Sequence, residues 1–257
     1  MRLTAKVKTK ILSASAIDEA LNQAIWSLYH QAYNISFDAF TERWSRLDEV
    51  VLFYRQHQAG QSADNTAELV GCIGVRFYDF TAVNKERITT LYFGQVYIQP
   101  AYRGRMLVQR TVIRYMLSIK LRHPWRPAFF WTDALSYKPY LVMANNLKDY
   151  WPSPHRLTPA LISELIRMIG ERYYGEDFDP QTGTVRKATN ILNDQSVVIT
   201  EKDLTNPYIA YYARHNPEHA NGHGLILVCK LNVKNVLWFM LKPLRKIKRR
   251  YFSHAYP

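Results

Sequence analysis

The chain has 257 residues, of which 47% are hydrophobic, so it is long enough for one large globular domain or a compact domain with an extension. Its 34 lysines and arginines outnumber its 21 aspartates and glutamates. The net charge of +13 favours an acidic partner, such as nucleic acid, anionic lipid, a phosphorylated cofactor or an acidic carrier protein. Two cysteines, Cys72 and Cys229, exclude a disulfide framework or a four-thiolate metal site.

The hydropathy pattern favours a soluble protein. No apolar segment reaches the roughly 18 to 20 residues that span a bilayer, and no N-terminal stretch combines a charged start with a long apolar run. The two cysteines fit a reducing compartment. We therefore expect a cytoplasmic protein.

The first hundred residues predict two helices and then three strands. Ser15 and Asp18 resemble a helix start, and apolar residues at helical spacing extend that helix to about Tyr33. Ser36 caps a second helix through Trp44. Strands are predicted at 50–54, 69–78 and 89–98, and the last two form an antiparallel pair.

The next fifty residues predict helix, strand and helix. Apolar spacing marks a helix over residues 108–119, AFFWT at 128–132 is a strand, and a helix-like segment runs from Ser136 to about Tyr150. Trp-Pro-Ser-Pro at 151–154 then breaks the pattern. We predict a core at residues 1–152 and a C-terminal extension at 153–257.

The extension predicts further elements packed on that core. Thr158 caps a helix with Pro159 at its first position, and Gly175 closes it. A turn at 179–183 follows, then strands at 196–200 and 225–231 and an amphipathic helix from about residue 230.

Residues 96–109 read VYIQPAYRGRMLVQ, in which a strand ends in an apolar residue and proline before an Arg-Gly turn opens a helix. This segment resembles the donor-binding motif of the GNAT superfamily of acyltransferases, and the flanking element order is similar to that family over roughly residues 1–152. The resemblance implies an α/β (α+β) fold with a mixed, mostly antiparallel and splayed sheet flanked by helices. The C-terminal extension would cover one side.

The resemblance also implies a place for the donor. In that family, backbone amides of the loop hold the pyrophosphate of coenzyme A, which fits the positive dipole end of a helix. Arg103 and Gly104 match the family's loop, whereas Met106 and Val108 replace its two small residues. Together with the strand before the loop, the implied donor-binding residues are Val96, Tyr97, Ile98, Arg103, Gly104, Arg105, Met106, Leu107 and Val108.

Larger side chains at Met106 and Val108 obstruct close approach of a pyrophosphate unless Arg103, Arg105 and Arg110 compensate with charge-assisted hydrogen bonds. Three alternatives follow. The loop binds acetyl-CoA or acyl-CoA in a modified way, it accepts acyl groups from acyl carrier protein, or it has lost donor binding.

Acyl transfer to an amine needs a deprotonated amine, a polarised carbonyl and a proton for the leaving thiolate. The resemblance maps the carbonyl contact onto the strand at Gln95 and the acid onto the helix after the next strand, where Tyr140 is the nearest tyrosine. Asp133 and Ser136 follow the AFFWT strand, where they would meet substrate. The alternatives are that Tyr140 is a packing aromatic and Ser136 a helix cap.

Other titratable groups have plainer interpretations. Glu68 and Glu86 are candidate bases but fall in solvated turns. His215, His219 and His223 are spaced by four, as metal ligands on one helix face would be, but Pro217 and Asn221-Gly222 interrupt such a helix. We expect a solvated loop there and no metal site.

The segment 230–250, with Lys230 at its start and Arg250 at its end, begins as an amphipathic helix and becomes strongly basic. One interpretation is a helix docked on the core with a solvated tail. The other is a surface that meets anionic membrane or an acyl carrier protein. No nucleic-acid-binding motif occurs, so we do not expect a nucleic acid partner.

The sequence therefore predicts an N-acyltransferase that moves an acetyl or longer acyl group from a thioester donor to a small-molecule amine. The alternative is a non-catalytic GNAT-like protein that docks on an acidic partner through its basic surface.

Overall fold

The computed structural model describes residues 6–56, 67–187, 191–192 and 198–241. The strands in these residues are β1 (Val7–Ser13), β2 (Tyr33–Asn34), β3 (Glu49–Arg55), β4 (Glu68–Thr81), β5 (Arg87–Ile98), β6 (Ala128–Ala134), β7 (Tyr150–Trp151), β8 (Phe178–Asp179), β9 (Thr184–Arg186), β10 (Ile191–Leu192) and β11 (His223–Lys230). The helices are α1 (Glu19–Tyr29), α2 (Phe37–Ser45), α3 (Leu107–Arg122), α4 (Tyr137–Asn146), α5 (Ala160–Tyr174), α6 (Glu201–Leu204), α7 (Pro207–His215) and α8 (Val233–Met240).

One large sheet organises the molecule. Its strand order is β1-β3-β4-β5-β6-β11-β9-β8, with β7 pairing beside β9 on β11. β5 and β6 are parallel, and the other neighbours in this sheet are antiparallel. This is the mixed, mostly antiparallel sheet that the sequence predicted.

Helices cover both faces of the sheet. Successive side chains along a strand point to opposite faces, so each strand contributes apolar residues to both layers. In β3, Val51 and Phe53 pack with the core under α3, α4 and α7, whereas Val50 and Leu52 pack against α1 and α2. The second face continues past α1 and α2 to α5, whose Leu165 is fully buried against β5, β6 and β11.

The helix starts follow from local capping. Asp18 caps α1 by accepting from the Leu21 amide at 2.8 Å, and Ser36 caps α2 as predicted. Pro159 is the N-cap of α5, one residue later than predicted, and Gly175 ends that helix with φ 53°. Glycine suits this position because it adopts positive φ without a Cβ penalty.

Several elements were not predicted from the sequence, among them β1 and α7. β1 has alternating lysines and little burial, as an edge strand does, so its pattern looked polar. The nine-residue α7 lies in a segment for which the sequence analysis predicted no helix or strand, and only its last residue, His215, falls in the predicted loop. Of the strand predicted at 196–200, residues 196 and 197 lie outside the described residues, and 198–200 are not in a strand.

Residues beyond 152 contribute to the central sheet. β11 lies between β6 and β9, and its Ile226 and Val228 are fully buried. The amphipathic helix predicted after residue 230 is α8, and the basic residues 242–250 of the same prediction lie outside the described residues. Within the described ranges, no helix combines the length and apolarity needed to cross a bilayer.

A single buried asparagine fastens α8 to the sheet. Asn235 donates to the carbonyls of Asp149 and Lys230 at 2.9 and 2.8 Å. Its side-chain oxygen accepts from the amides of Lys148 and Asp149 at 2.9 and 2.8 Å. Four hydrogen bonds from one side chain hold α8 against the loop before β7 and the end of β11.

Replacing Asn235 by alanine removes all four hydrogen bonds and leaves their buried backbone partners without that partner. We expect Asn235→Ala to lower the free energy of unfolding by about 2–4 kcal/mol in urea titration. Val233→Ala, on the exposed side of the same helix, should stay within about 0.5 kcal/mol of the parent protein. Equal effects of the two substitutions would contradict this role for Asn235.

Candidate active site

A β-bulge distorts β5 halfway along its pairing with β4. Between the pairs Cys72–Tyr97 and Gly74–Gly94, β4 advances two residues while β5 advances three. Gln95 takes up the extra residue with φ 46°, an uncommon value for a residue with a side chain. Such bulges bend a strand and redirect its backbone groups.

β5 and β6 separate just before this bulge. Their parallel ladder runs from Thr89–Ala128 to Tyr92–Trp131, and the Thr132 hydroxyl donates to the Phe93 carbonyl at 2.9 Å just past its end. β5 continues to Ile98 and β6 to Ala134, yet no further ladder pair joins them in the described structure. The two strands therefore open into a V, as the predicted splayed sheet requires.

The turn after β5 leads into α3. The Arg103 side chain folds back, its Nε donating to the Ile98 carbonyl at 3.0 Å. Gly104 has φ 79°, and a Cβ placed there would have no heavy atom within 4 Å, so the space above this backbone is open. The Arg105 guanidinium lies 4.7 Å from the centre of the Tyr102 ring.

The first turn of α3 lacks a side-chain cap. Met106 is the N-cap residue in a left-handed conformation, φ 58° and ψ 29°, and its side chain makes no capping hydrogen bond in the part of the chain described. Met106 is 44% exposed. It therefore leaves the turn partly open to solvent, and helix N-terminal amides without a side-chain cap are groups that can bind an anion.

A cavity of about 500 Å³ joins this turn to the V between the strands. Its walls come from both faces of the sheet: α3, α4 and α8 on one side, and α1 with the end of β6 on the other. The cavity thus passes through the sheet at the splay. Its size lies in the range typical of small-molecule sites.

The structure brings together nearly all the residues predicted from sequence. The cavity is lined by Gln95, Val96, Tyr97, Ile98, Arg103, Gly104, Arg105, Met106, Leu107, Val108, Asp133 and Ser136. Ser136 is the N-cap of α4, but its hydroxyl makes no capping hydrogen bond to that helix.

Tyr140, predicted as the proton donor, lies outside the cavity. It is fully buried and does not line the cavity, because its position on α4 turns it toward the core. Its ring centre lies 6.1, 5.9 and 6.0 Å from those of Tyr150, Tyr211 and Tyr212. Burial, reinforced by neighbouring tyrosines, raises its pKa. Tyr140 is thus a packing aromatic, and Met143, one turn later, faces the cavity.

Asp133 lies in a buried polar cluster that the sequence did not reveal. One carboxylate oxygen accepts from the Tyr92 hydroxyl at 3.2 Å, and the other accepts from the Tyr174 hydroxyl at 2.6 Å. The second oxygen also forms an ion pair with the Lys187 ammonium. Lys187 and Asp133 side chains are 9% and 5% exposed.

The two tyrosines of this cluster are held as hydrogen-bond donors. Burial, and then the Asp133 charge, raises the pKa of Tyr92 and of Tyr174 well above the usual value for tyrosine. Both hydroxyls therefore remain protonated at neutral pH. Gly94 makes room for this arrangement, since a Cβ there would lie 2.2 Å from the Tyr92 hydroxyl.

The remaining candidates lie elsewhere. Glu68 pairs with Arg55 at 3.1 Å on the surface, and neither it nor Glu86 lines the cavity. His215 ends α7, whereas His219 and His223 lie in the next turn and at the start of β11. Across the described residues, no three histidine, cysteine or acidic side chains converge on a metal position.

The buried Asp133–Lys187 pair allows a double-mutant test of the cluster. Asp133→Asn leaves a buried ammonium without its counter-charge and should lower the free energy of unfolding by about 3–5 kcal/mol. In urea titration, the double variant Asp133→Asn with Lys187→Met should lose less free energy of unfolding than the two single variants do together. The difference should be about 2 kcal/mol.

The exposed pair Arg167–Glu171, 2.8 Å apart with side chains 50% and 55% exposed, is a matched control. Its coupling energy should be about 0.3–0.5 kcal/mol. A coupling between Asp133 and Lys187 no larger than this would show that the cluster is solvated rather than buried.

No family model matches the chain, and no curated protein matches it. Among solved structures it is similar to a conserved protein of unknown function from Enterococcus faecalis V583, described as a probable N-acyltransferase, at 12% identity and a TM-score of 0.35. That match covers 56% of this chain and 34% of the other, so the chain spans about a third of that protein's length.

In two other similar structures, the match covers more of the other protein's length. A Trypanosoma brucei acetyltransferase matches at 14% identity and a TM-score of 0.37, over 60% of this chain and 100% of the other. Escherichia coli ElaA matches at 14% identity and a TM-score of 0.31, over 57% and 88%. The topology of this chain, a mixed and mostly antiparallel sheet with a splayed β5–β6 pair and a turn that opens α3, is the fold class that the sequence predicted.

Proposed function

We propose that the protein is an N-acyltransferase that takes an acyl group from acyl-CoA and transfers it to the amine of a small molecule. One observation carries this proposal. The cavity begins at the uncapped start of α3, follows the bulged strand β5 and opens through the sheet to the opposite face. In this proposal the thioester and the amine approach one another from the two faces of the sheet.

The start of α3 suits the phosphates of the donor. Free amides at a helix N-terminus and the positive end of its dipole stabilise an anion. The turn adds the guanidinium groups of Arg103 and Arg105, both on the cavity wall, and Gly104 leaves its backbone accessible. Charge-assisted hydrogen bonds from arginine to phosphate would offset the loss of the usual small residues.

The bulged part of β5 suits the arm that carries the thioester. Ile98 lies beside the turn and Gln95 lies at the inner end of the V, three residues away. At ~3.3 Å per residue this edge is roughly 10 Å long. No ladder pair joins this edge to β6 in the described chain, and the carbonyls of Ile98 and Val96 accept from the side chains of Arg103 and Tyr33. The amides of the arm would replace these side-chain donors.

The opposite face suits the acceptor. Tyr29 at the end of α1 and Tyr33 of β2 line this side with Asp133, and the Tyr33 hydroxyl donates to the Val96 carbonyl at 3.5 Å. In this proposal Asp133, released from its ion pair with Lys187, holds a protonated amine and takes its proton. Ser136 lines the same cavity and is the proposed proton donor to the thiolate.

Acyl carrier protein is the alternative source of the thioester, since its phosphopantetheine arm carries the same reacting group. The basic turn at Arg103 and Arg105 would meet an acidic carrier as well as it meets the phosphates of CoA. Binding assays with each donor separate the two.

Substitution at the N-cap of α3 tests donor binding. Met106→Asp and Met106→Asn introduce side chains of equal size that tolerate the left-handed backbone. They differ by one negative charge, which repels phosphate at this position. We expect the dissociation constant for CoA, measured by calorimetry, to be about tenfold higher for Met106→Asp, equivalent to roughly 1.4 kcal/mol.

Equal CoA affinities for the two variants would place the phosphates elsewhere. If neither acetyl-CoA, a longer acyl-CoA nor an acylated carrier protein binds the unmodified protein, then the non-catalytic GNAT-like binding protein is the better interpretation.

A further inference from the structure

Lys187 occupies an unusual position for a lysine. It follows directly after β9, and its side chain turns into the cavity, where only 9% of it is exposed. Lysine normally extends its charged end into water, and burial is costly unless the charge is paired. Here the ammonium is paired with Asp133 and lies 5.8 Å from the centre of the Tyr174 ring.

The ammonium also lies at the inner end of the V. Asp133 follows Thr132, whose hydroxyl bonds to the Phe93 carbonyl where the two strands part. Asp133 therefore stands across the opening from Gly94 and Gln95. Under the proposed function, the thioester of a bound donor reaches this same point.

We propose that Lys187 is a self-acylation site, whose Nζ takes the acyl group from a thioester bound in the cleft. The inference rests on the proposed function, because it uses the same donor. It goes beyond that function in assigning a covalently modified residue of the chain itself. The geometry behind it is the contact of Lys187 with Asp133 inside the cavity, opposite the bulged strand.

The reaction balances without another reactant. Asp133 accepts one proton from the ammonium, and the resulting amine attacks the thioester carbonyl carbon. The new carbon–nitrogen bond forms, the carbon–sulfur bond breaks, and the second proton of the amine passes to the thiolate. The products are acyl-lysine, free thiol and one proton, which Asp133 releases to water.

Tyr92 and Tyr174 support this step through Asp133. Their hydroxyls donate to both carboxylate oxygens and fix the carboxylate beside the lysine. Acylation would remove the lysine charge and leave Asp133 with the two tyrosine donors. The carboxylate would then be able to receive a cationic acceptor amine in place of Lys187.

Site-resolved mass spectrometry tests the proposal on the full chain. The protein is incubated with acetyl-CoA, or with an acetylated carrier protein, and acetylation of each lysine is followed over time. We expect Lys187 to be acetylated at least about tenfold faster than the exposed Lys8 and Lys10 of β1, with one free thiol released per acetylated Lys187. Unassisted chemical acetylation predicts the reverse order, because Lys187 is buried.

Variants separate templated from random modification. Lys187→Arg keeps the charge but has no primary amine, so it should lose the fast thiol release, whereas Lys8→Arg should retain it. Asp133→Asn should slow acetylation of Lys187 at least about tenfold. In urea, all three lysines of the unmodified protein should react at similar rates.

The two proposals fail in different ways. If calorimetry shows that a donor binds but Lys187 reacts no faster than Lys8 and Lys10, self-acylation is wrong and the acyltransferase proposal stands. If no thioester donor binds, both are wrong.

Discussion

The parting of β5 and β6 after Tyr92 is the constraint on which the rest of the site depends. If the two parallel strands continued to pair, their backbone N–H and C=O groups would hydrogen-bond to each other and no cleft would form between them. The ladder ends at Tyr92–Trp131, and the Thr132–Phe93 hydrogen bond and the bulge at Gln95 follow where the two strands part and a cavity lies between them. Because the strands part here, the cavity between them is lined by the turn at Gly104, the start of α3 and Asp133.

Local sequence was enough to predict the elements that build this opening. The strand at 89–98, the proline, the Arg-Gly turn and the helix after it follow one another in the chain, so each is visible in residue pattern alone. The resemblance to GNAT proteins then supplied what pattern cannot, namely the splay. It also predicted donor-binding residues along the bulged strand and turn, and these residues line one cavity.

The parts that sequence did not predict depend on long-range contacts or on helix phase. Tyr174 and Lys187 reach Asp133 from 41 and 54 positions further along the chain, and neither carries a local motif. The prediction for Tyr140 was wrong because of helix position. On α4, Met143 faces the cavity, whereas Tyr140, one turn earlier, packs among tyrosines in the core. Burial also decides the chemistry, since it keeps the hydroxyls of Tyr92 and Tyr174 protonated beside a carboxylate.

Donor binding at the start of α3 is most directly tested by nuclear magnetic resonance of the backbone amides during titration with CoA. The amides of Leu107, Val108 and Gln109 should shift strongly as phosphate accepts their hydrogen bonds, and those of Gln95 and Val96 should shift with them, while α1 amides far from the cavity stay in place. Shifts that spare the first turn of α3 and fall elsewhere, or no shifts at saturating CoA, would contradict a donor site at this helix.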